Sequence, residues 1–331
     1  MNTTVILCTY NRCDSLVRAL ESAAALTLPD SHDWEVLVVD NNSTDRTRQV
    51  VDELSRRCPG RFRYLFEPQQ GKSFALNAGI REAHGDVLAF VDDDATVEPS
   101  WLRNLTASLQ DGRWAGAAGR ILPQRNFTAP RWLSLEGWKT RAPLVIYDLG
   151  PNAGELNDLP FGTNMAFRRE MFEQYGGFRS DLGPRPSEVR GEDSEFAARL
   201  LRAGERLRYE PSAVVYHEVP EARLRKAYFL RWWLDKARAD IRAFGIPADT
   251  RGSIAGVPLV FFLKLATSTV RWMLSFEPAL RFSRKIDVWI MAGRITECRR
   301  QAQALKDKQK ADLSPVALRS SGPTQDKAVG H

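Results

Sequence analysis

"GKSFALNAGIREAHGDVLAFVDDD", residues 71–94, carries three signals in a row. Its first part has the periodicity of a helix, closed at Gly85. The apolar run Val87–Val91 then reads as a buried strand. Three aspartates, Asp92, Asp93 and Asp94, follow directly. Adjacent like charges repel, and burial makes each one costlier. A strand that ends this way needs something positive beside it.

Working outward, strand and helix alternate through the first hundred residues. "TTVILCT" (3–9), "WEVLVVD" (34–40) and "RFRYLFEP" (61–68) read as strands. "CDSLVRALESAAAL" (13–26), with Asp14 as N-cap, and "STDRTRQVVDELSRR" (43–57), with Ser43 or Asp45 as cap, read as helices. Repeated βα units with apolar strands predict a parallel sheet covered by helices. In such sheets ligands bind beyond the carboxyl ends of the strands. Thr9-Tyr10, Asp40 and Asp92–Asp94 all fall at such ends.

Residues 113–220 are less regular. "WAGAAGRIL" (114–122) and "LPFGTNMAF" (159–167) read as strands around a Trp-, Pro- and Gly-rich stretch, 123–158. "RREMFEQYGGF" (168–178) and "EDSEFAARLLRAG" (192–204) read as helices, and "RLRYEPSAVVYHEV" (206–219) as a last strand region. From about residue 222 the pattern is helical. We expect a body over 1–220 in two halves, the regular βα half 1–112 and the less regular half 113–220. A basic helical extension (221–300) and a polar, disordered tail (301–331) follow.

The net charge is +6, but residues 221–300 hold sixteen Lys and Arg against seven Asp and Glu, so the body before them is acidic. A basic region of this size points to a phosphate-rich surface, either membrane lipid or nucleic acid. No nucleic-acid recognition motif is present, and an acidic body repels phosphate backbones. "GVPLVFFLKLATSTVRWMLSF" (256–276) has the length of a membrane span, but Lys264, Thr267, Ser268, Arg271 and Ser275 share one helical face. Phe261, Leu265, Trp272 and Phe276 lie largely opposite. This pattern fits an interfacial helix, and residues 256–285 are the expected contact with an anionic membrane surface. The same helix would also serve by packing on the body. The four cysteines lack CxxC spacing, which points to a reducing cytosol rather than a disulfide scaffold or zinc site. The N-terminus reads as a strand and not as a signal peptide. The expected location is therefore cytoplasmic, peripheral on the inner face of the membrane.

Alternation along a strand places Asp92 and Asp94 on one side. Two such carboxylates suit Mn²⁺ or Mg²⁺, with substrate phosphates completing the shell. The alternative is a solvated turn in which Asp93 or Asp94 caps the next segment. Glu192-Asp193 opens a helix, where an acid also serves to satisfy free N–H groups. His217 ends a strand and is either a packed residue or a ligand. Trp132 and Trp138 are either core or aromatic platforms for a ligand.

The ordered set "TYNR" (9–12), "VVDNNSTD" (38–45), "QGKSFALNAG" (70–79), "FVDDD" (90–94), "FGTNMAFRRE" (161–170), "GGF" (176–178), "GED" (191–193) and His217 resembles the family 2 glycosyltransferases, which share the GT-A fold. The resemblance implies a Rossmann-like, mostly parallel sheet flanked by helices, here with a C-terminal amphipathic helical extension. It implies nucleotide contacts from Thr9, Tyr10, Arg12, Asp40, Lys72, Asp92 and Asp93. It implies metal contacts from Asp94 and His217, and a donor and acceptor pocket at Gly162, Thr163 and Asn164. Of the acid pair, Asp193 is the implied catalytic base and Glu192 its neighbour. The expected reaction is inverting transfer from a nucleotide-diphosphate sugar to a glycan or lipid-linked acceptor, in cell-surface polysaccharide or glycolipid synthesis.

The chain departs from processive members at Tyr228, which stands where their Gln-x-x-Arg-Trp motif has glutamine, before Arg231-Trp232. That favours addition of a single sugar. A sugar nucleotidyltransferase would also use an acidic α/β metal site, but "CTYNRCDS" lacks a Gly- and Lys/Arg-rich phosphate loop. A catalytically degenerate membrane-bound scaffold is the other alternative, opposed by the intact acidic set.

Overall fold

The computed structural model describes residues 1–124, 126–183, 191–247 and 252–313. In chain order the elements begin β1 (Asn2–Thr9), α1 (Cys13–Ala24), β2 (Asp33–Asp40), α2 (Thr47–Arg57), β3 (Phe62–Phe66), α3 (Lys72–Glu82) and β4 (Val87–Asp92). Next come β5 (Ala95–Val97), α4 (Trp101–Ala107), β6 (Gly116–Pro123), α5 (Trp138–Arg141), β7 (Gly154–Glu155), β8 (Met165–Arg168), α6 (Arg169–Tyr175), α7 (Glu192–Arg202) and β9 (Leu207–His217). The last are α8 (Lys226–Phe244), the short pair β10 (Ser253–Ile254) and β11 (Val257–Pro258), α9 (Leu259–Met273) and α10 (Pro278–Leu313).

One sheet runs β3-β2-β1-β4-β8-β6-β9-β5, with β7 on β9. The parallel run expected from the βα repeats covers β3-β2-β1-β4. Beyond it, β8 is antiparallel to both β4 and β6, while β9 is again parallel to β6. The carboxyl ends of β1, β2, β4, β6 and β9 therefore lie along one rim. The reversed strand β8 brings its amino end, and with it Gly162–Asn164, to that same rim.

Apolar residues on both faces of the strands make the sheet a two-sided core. Val5 and Leu7 face a cluster with Leu16, Leu20 and Val51 of α1 and α2. Ile6, between them, faces the opposite cluster with Phe90, Phe167, Phe172 and Phe196. There Phe172 and Phe196 stack with centroids 4.5 Å apart. The start of α1 differs from the sequence reading. Asp45 from the neighbouring loop accepts the Cys13 N–H at 2.9 Å, and Asp14 is only a first-turn acid.

The C-terminal helices pack on the body. Phe229, Trp232 and Trp233 of α8 and Phe282 and Ile286 of α10 form one cluster with Leu133, Leu144 and Ile146 of the irregular stretch. Trp132 belongs here, edge-on to Phe229 and Phe282, whereas Trp138 is exposed beside Phe161. Glu297, fully buried, ties α10 to α8 through Arg242 (3.2 Å) and Arg238 (3.6 Å).

Two readings of this region change. The polar tail expected from residue 301 is helical to Leu313, because α10 continues without a breaker; residues 314–331 lie outside the described residues. The amphipathic helix starts at Leu259, after the β10–β11 turn, and its faces are not those of the simple wheel. Phe261 and Leu265 pack inward against Ile241 of α8 and Ile295 and Cys298 of α10. Ser275 is buried, bonded to Arg284 at 2.8 Å. The solvent side carries Leu263 and Leu274, each 66% exposed, with Val270, Met273 and Phe276, the last 87% exposed. Lys264 and Arg271 are also exposed there. Among the described residues no helix is long and apolar enough to cross a membrane.

Candidate active site

Strand alternation does not set Asp92 and Asp94 on one side. β4 ends at Asp92, and Asp93 and Asp94 form the turn into β5. Alternation therefore stops at Asp92, and each carboxylate finds its own partners. The register of β4 on β8 pairs Phe90 with Met165, which brings Thr163 beside Asp92. Thr163 Oγ1 donates to Asp92 Oδ2, and Lys72 Nζ pairs with Asp92 Oδ1. Asp93 turns inward and accepts from Thr9 Oγ1 at 2.8 Å and Arg12 Nη1 at 3.1 Å. The register of β5 on β9 pairs Ala95 with His217, which sets His217 beside Asp94. Asp94 receives Arg12 Nη1 at 3.1 Å and Arg223 Nη2 at 3.0 Å, with His217 Nε2 at 3.3 Å.

This is the positive company that the triad required. Burial works against the charge of Asp94, yet His217, Arg223 and Arg12 hold its carboxyl far below the ordinary carboxylate range. Asp92 is likewise lowered, with burial opposed by Lys72. Asp93 goes the other way. Burial pushes it up to about 6, only partly countered by Arg12. Lys72 is half-buried; desolvation works against its charge, but Asp92 and Glu192 raise its pKa and keep it protonated.

The His217 ring carries a conflict that bears on a metal. A ring nitrogen holds either a proton or a lone pair. His217 Nε2 lies 3.1 Å from Arg223 Nη1, which needs the lone pair. It lies 3.3 Å from Asp94 Oδ1, which needs the proton. It satisfies one neighbour and not both, and its other nitrogen, Nδ1, is buried without a hydrogen-bond partner. A divalent cation would accept both the imidazole lone pair and the carboxylate, so the two side chains fit one. They do not enclose it. Among the described residues no group of three or more His, Cys, Asp or Glu is placed to hold an ion. Oxygen atoms of a bound phosphate would complete the shell.

A cleft of about 350 Å³ opens on this rim. Of the sequence-predicted residues, Thr9, Tyr10, Arg12, Lys72, Asp92, Asp93, Asp94 and His217 line it. Asp40 does not. It is buried at the end of β2, accepting from Ser43 N at 2.8 Å and Tyr64 Oη at 2.7 Å. Its neighbour Asn41 reaches the cleft and pins the 67–71 loop, receiving Gly71 N at 2.8 Å and donating to the Gln69 carbonyl at 2.7 Å.

Asn164 is also away from the cleft. It is 1% exposed, accepting from Trp101 Nε1 at 2.8 Å and donating to the carbonyls of Arg120 (2.9 Å) and Ala213 (2.8 Å). Gly162 and the acid pair stand behind Lys72. Gly162 N donates to Asp193 Oδ2 at 2.7 Å, and Ser194 N to Asp193 Oδ1 at 2.6 Å. Gly191, with φ 129°, makes the sharp entry into α7 that aims the pair inward, a conformation glycine tolerates. Glu192 is buried, and burial together with Asp193 raises its carboxyl, partly countered by Lys72.

Three lining residues carried no motif signal: Cys8, Val145 and Arg223. Arg223 follows His217 by one short turn. Arginines are so frequent in residues 221–300 that it looked like one more surface charge.

Rim, carboxylate turn, histidine and second acid pair together define an α/β enzyme of the GT-A glycosyltransferase type. The profile described as "Glycosyl transferase family 2" matches residues 4–176, and the chain belongs to that family. It is 32% identical over 236 residues to "Succinoglycan biosynthesis protein ExoM" of Rhizobium meliloti, covering 70% of this chain and 70% of that protein. It is 28% identical over 236 residues to "Glucosyl-dolichyl phosphate glucuronosyltransferase" of Haloferax volcanii, covering 67% and 71%. Two further curated relatives are covered over only about half of their own length, 46% and 53%. Among solved structures, "Mannosyltransferase PcManGT from Pyrobaculum calidifontis in complex with GDP-Man and Mn2+" superposes with TM-score 0.55 over 93% of this chain and 79% of that one, at 23% identity. The protein is thus a glycosyltransferase.

Proposed function

We propose that the protein moves one sugar from a nucleotide-diphosphate sugar to a hydroxyl of a glycan or lipid-linked acceptor, with inversion at the anomeric carbon. The observation that carries this reading is the placement of two acidic centres on one rim. Asp94 and His217 stand at the nucleotide cleft, and Asp193 stands behind Lys72. Asp94 and His217 would hold Mn²⁺ or Mg²⁺, and the nitrogen ligand favours Mn²⁺. When bound, the cation offsets the charge that gathers on the departing diphosphate.

The chain's own residues supply the rest. Thr9, Tyr10 and Arg12 line the nucleotide side, with Lys72 and Asp92 between it and the sugar. Asp193, oriented by the Gly162 and Ser194 amides, takes the proton of the acceptor hydroxyl. The hydroxyl oxygen forms the new bond to the anomeric carbon as the bond to the diphosphate oxygen breaks. No covalent enzyme intermediate is required.

The acceptor would lie at a membrane. The exposed apolar strip of α9 (Leu263, Val270, Met273, Leu274), continued by Phe276 and bordered by Lys264, Arg271 and Arg281, suits the surface of an anionic leaflet. On this reading the work is done at the cytoplasmic face, in surface polysaccharide or glycolipid synthesis. Calorimetry of UDP, GDP and dTDP, with and without Mn²⁺, tests the reading. One nucleotide is expected to bind in a metal-dependent way and to lose that dependence in Asp94→Asn. Absence of binding by any of the three to folded protein refutes it.

A further inference from the structure

Arg223 is the least explained side chain of the cleft. It sits in the short 3-10 turn Glu221–Leu224 after β9, with its side chain only 15% exposed. Its two terminal nitrogens are split between the two proposed cation ligands, Nη2 on Asp94 Oδ2 at 3.0 Å and Nη1 on His217 Nε2 at 3.1 Å. Arg12 reaches Asp94 as well, but its remaining partner is Asp93. Among the described residues, Arg223 alone bridges the carboxylate and the imidazole.

A guanidinium in that position acts as a stand-in for a dication. It offsets the Asp94 charge and occupies the lone pair of His217. It is also a competitor, because the Nε2 lone pair and Asp94 serve either Arg223 or an ion. Among the described residues Asp94 is its one acidic partner, so a displaced Arg223 leaves its acid behind. Its fork is then free for the oxygens of a diphosphate, which it matches in geometry and charge.

We propose that Arg223 is a counter-ion gate: it holds the Asp94–His217 pair in the free protein and transfers to the donor diphosphate when a divalent cation takes that pair. The proposal rests on the metal-dependent reading above. Arg223 makes the two ligands bind interdependently. Cation alone must displace the fork without compensation, and diphosphate alone must draw it from Asp94. Each lowers the cost of the other, by the same factor in both directions.

The test reads metal directly, by the electron-paramagnetic-resonance signal of free Mn²⁺, with the protein alone and then with UDP, GDP or dTDP. For the wild type, Mn²⁺ alone is expected to bind weakly, and the nucleotide that binds is expected to tighten it about tenfold or more. In Arg223→Gln, Mn²⁺ alone should bind several-fold more tightly, the nucleotide about tenfold more weakly, and the mutual enhancement should largely vanish. Arg223→Lys keeps the charge but not the bridge. It should also bind Mn²⁺ alone more tightly while retaining most nucleotide affinity, and it carries the test if the glutamine variant does not fold. Unchanged or weaker Mn²⁺ binding by folded variants, with the wild type binding Mn²⁺ and nucleotide together, overturns the gate and leaves the metal reading standing. If the wild type binds no Mn²⁺ with any of the three nucleotides, the metal reading fails and the gate with it.

Discussion

Asp193 and Asn164 show how differently two pocket candidates behave once their hydrogen bonds are known. Asp193 keeps both oxygens on backbone amides, which orient it without neutralising it. Asp193→Asn keeps the size, gives up one of the two amide bonds because its –NH2 only donates, and removes the base. Transfer is expected to fall by about 10²–10⁴-fold, while calorimetric nucleotide binding stays within a few-fold of wild type. A rate loss below tenfold would assign the base elsewhere. Asn164 instead joins Trp101 to the carbonyls of Arg120 and Ala213 in the core. Asn164→Leu strands three buried groups and, at roughly 1–3 kcal/mol per unsatisfied group, should destabilise by about 3 kcal/mol or more. The readout is denaturant unfolding. Equal stability with altered donor affinity would return Asn164 to the pocket.

At the scale of elements, α8 and α10 are joined by a buried charge. Glu297 is fully enclosed among Arg238, Arg242 and Arg300. Burial opposes its ionisation, but the arginines lower its pKa. The sign follows from that direction. Its contribution to stability is present above the unfolded value, about 4.3, and is lost as pH falls through the lower folded value. Glu297→Ala leaves Arg238 and Arg242 half-buried without their acid and should cost about 3 kcal/mol at neutral pH. The difference in melting temperature between wild type and variant should shrink toward pH 3. A constant difference would mean that packing, not charge, is lost.

The surface of α9 has its own test. Leu263→Glu with Leu274→Glu should abolish co-sedimentation with phosphatidylglycerol vesicles, with melting temperature unchanged, because both side chains point to solvent. Retained vesicle binding would discard this helix as the contact.

At the scale of the whole molecule, the C-terminal helices are part of the core of the body and not an appendage to it. The cluster of Phe229, Trp233, Phe282 and Ile286 covers Leu133, Leu144 and Ile146. A chain ending at residue 220 would expose that surface, and it is expected to aggregate on expression. A soluble monomer with a sharp thermal transition would show that the helices are dispensable for folding.

Local pattern by itself determined the βα order of the first half, the apolar strands, the rim that carries Thr9, Asp92 and Asp94, and the family. Those features depend on period and on residues adjacent in the chain, which sequence states directly. Only the tertiary structure decided which way each aspartate turns, since alternation ends where β4 ends. It also decided that Asp40 and Asn164 spend their polar atoms inside the fold, and that Ser275 is buried while Phe276 faces solvent. Arg223 joined the site in the same way. Its meaning depends on β5 pairing with β9, which brings residues 94 and 217 together. Strand register between distant segments is set by the packing of the whole sheet, and no single stretch of sequence encodes it.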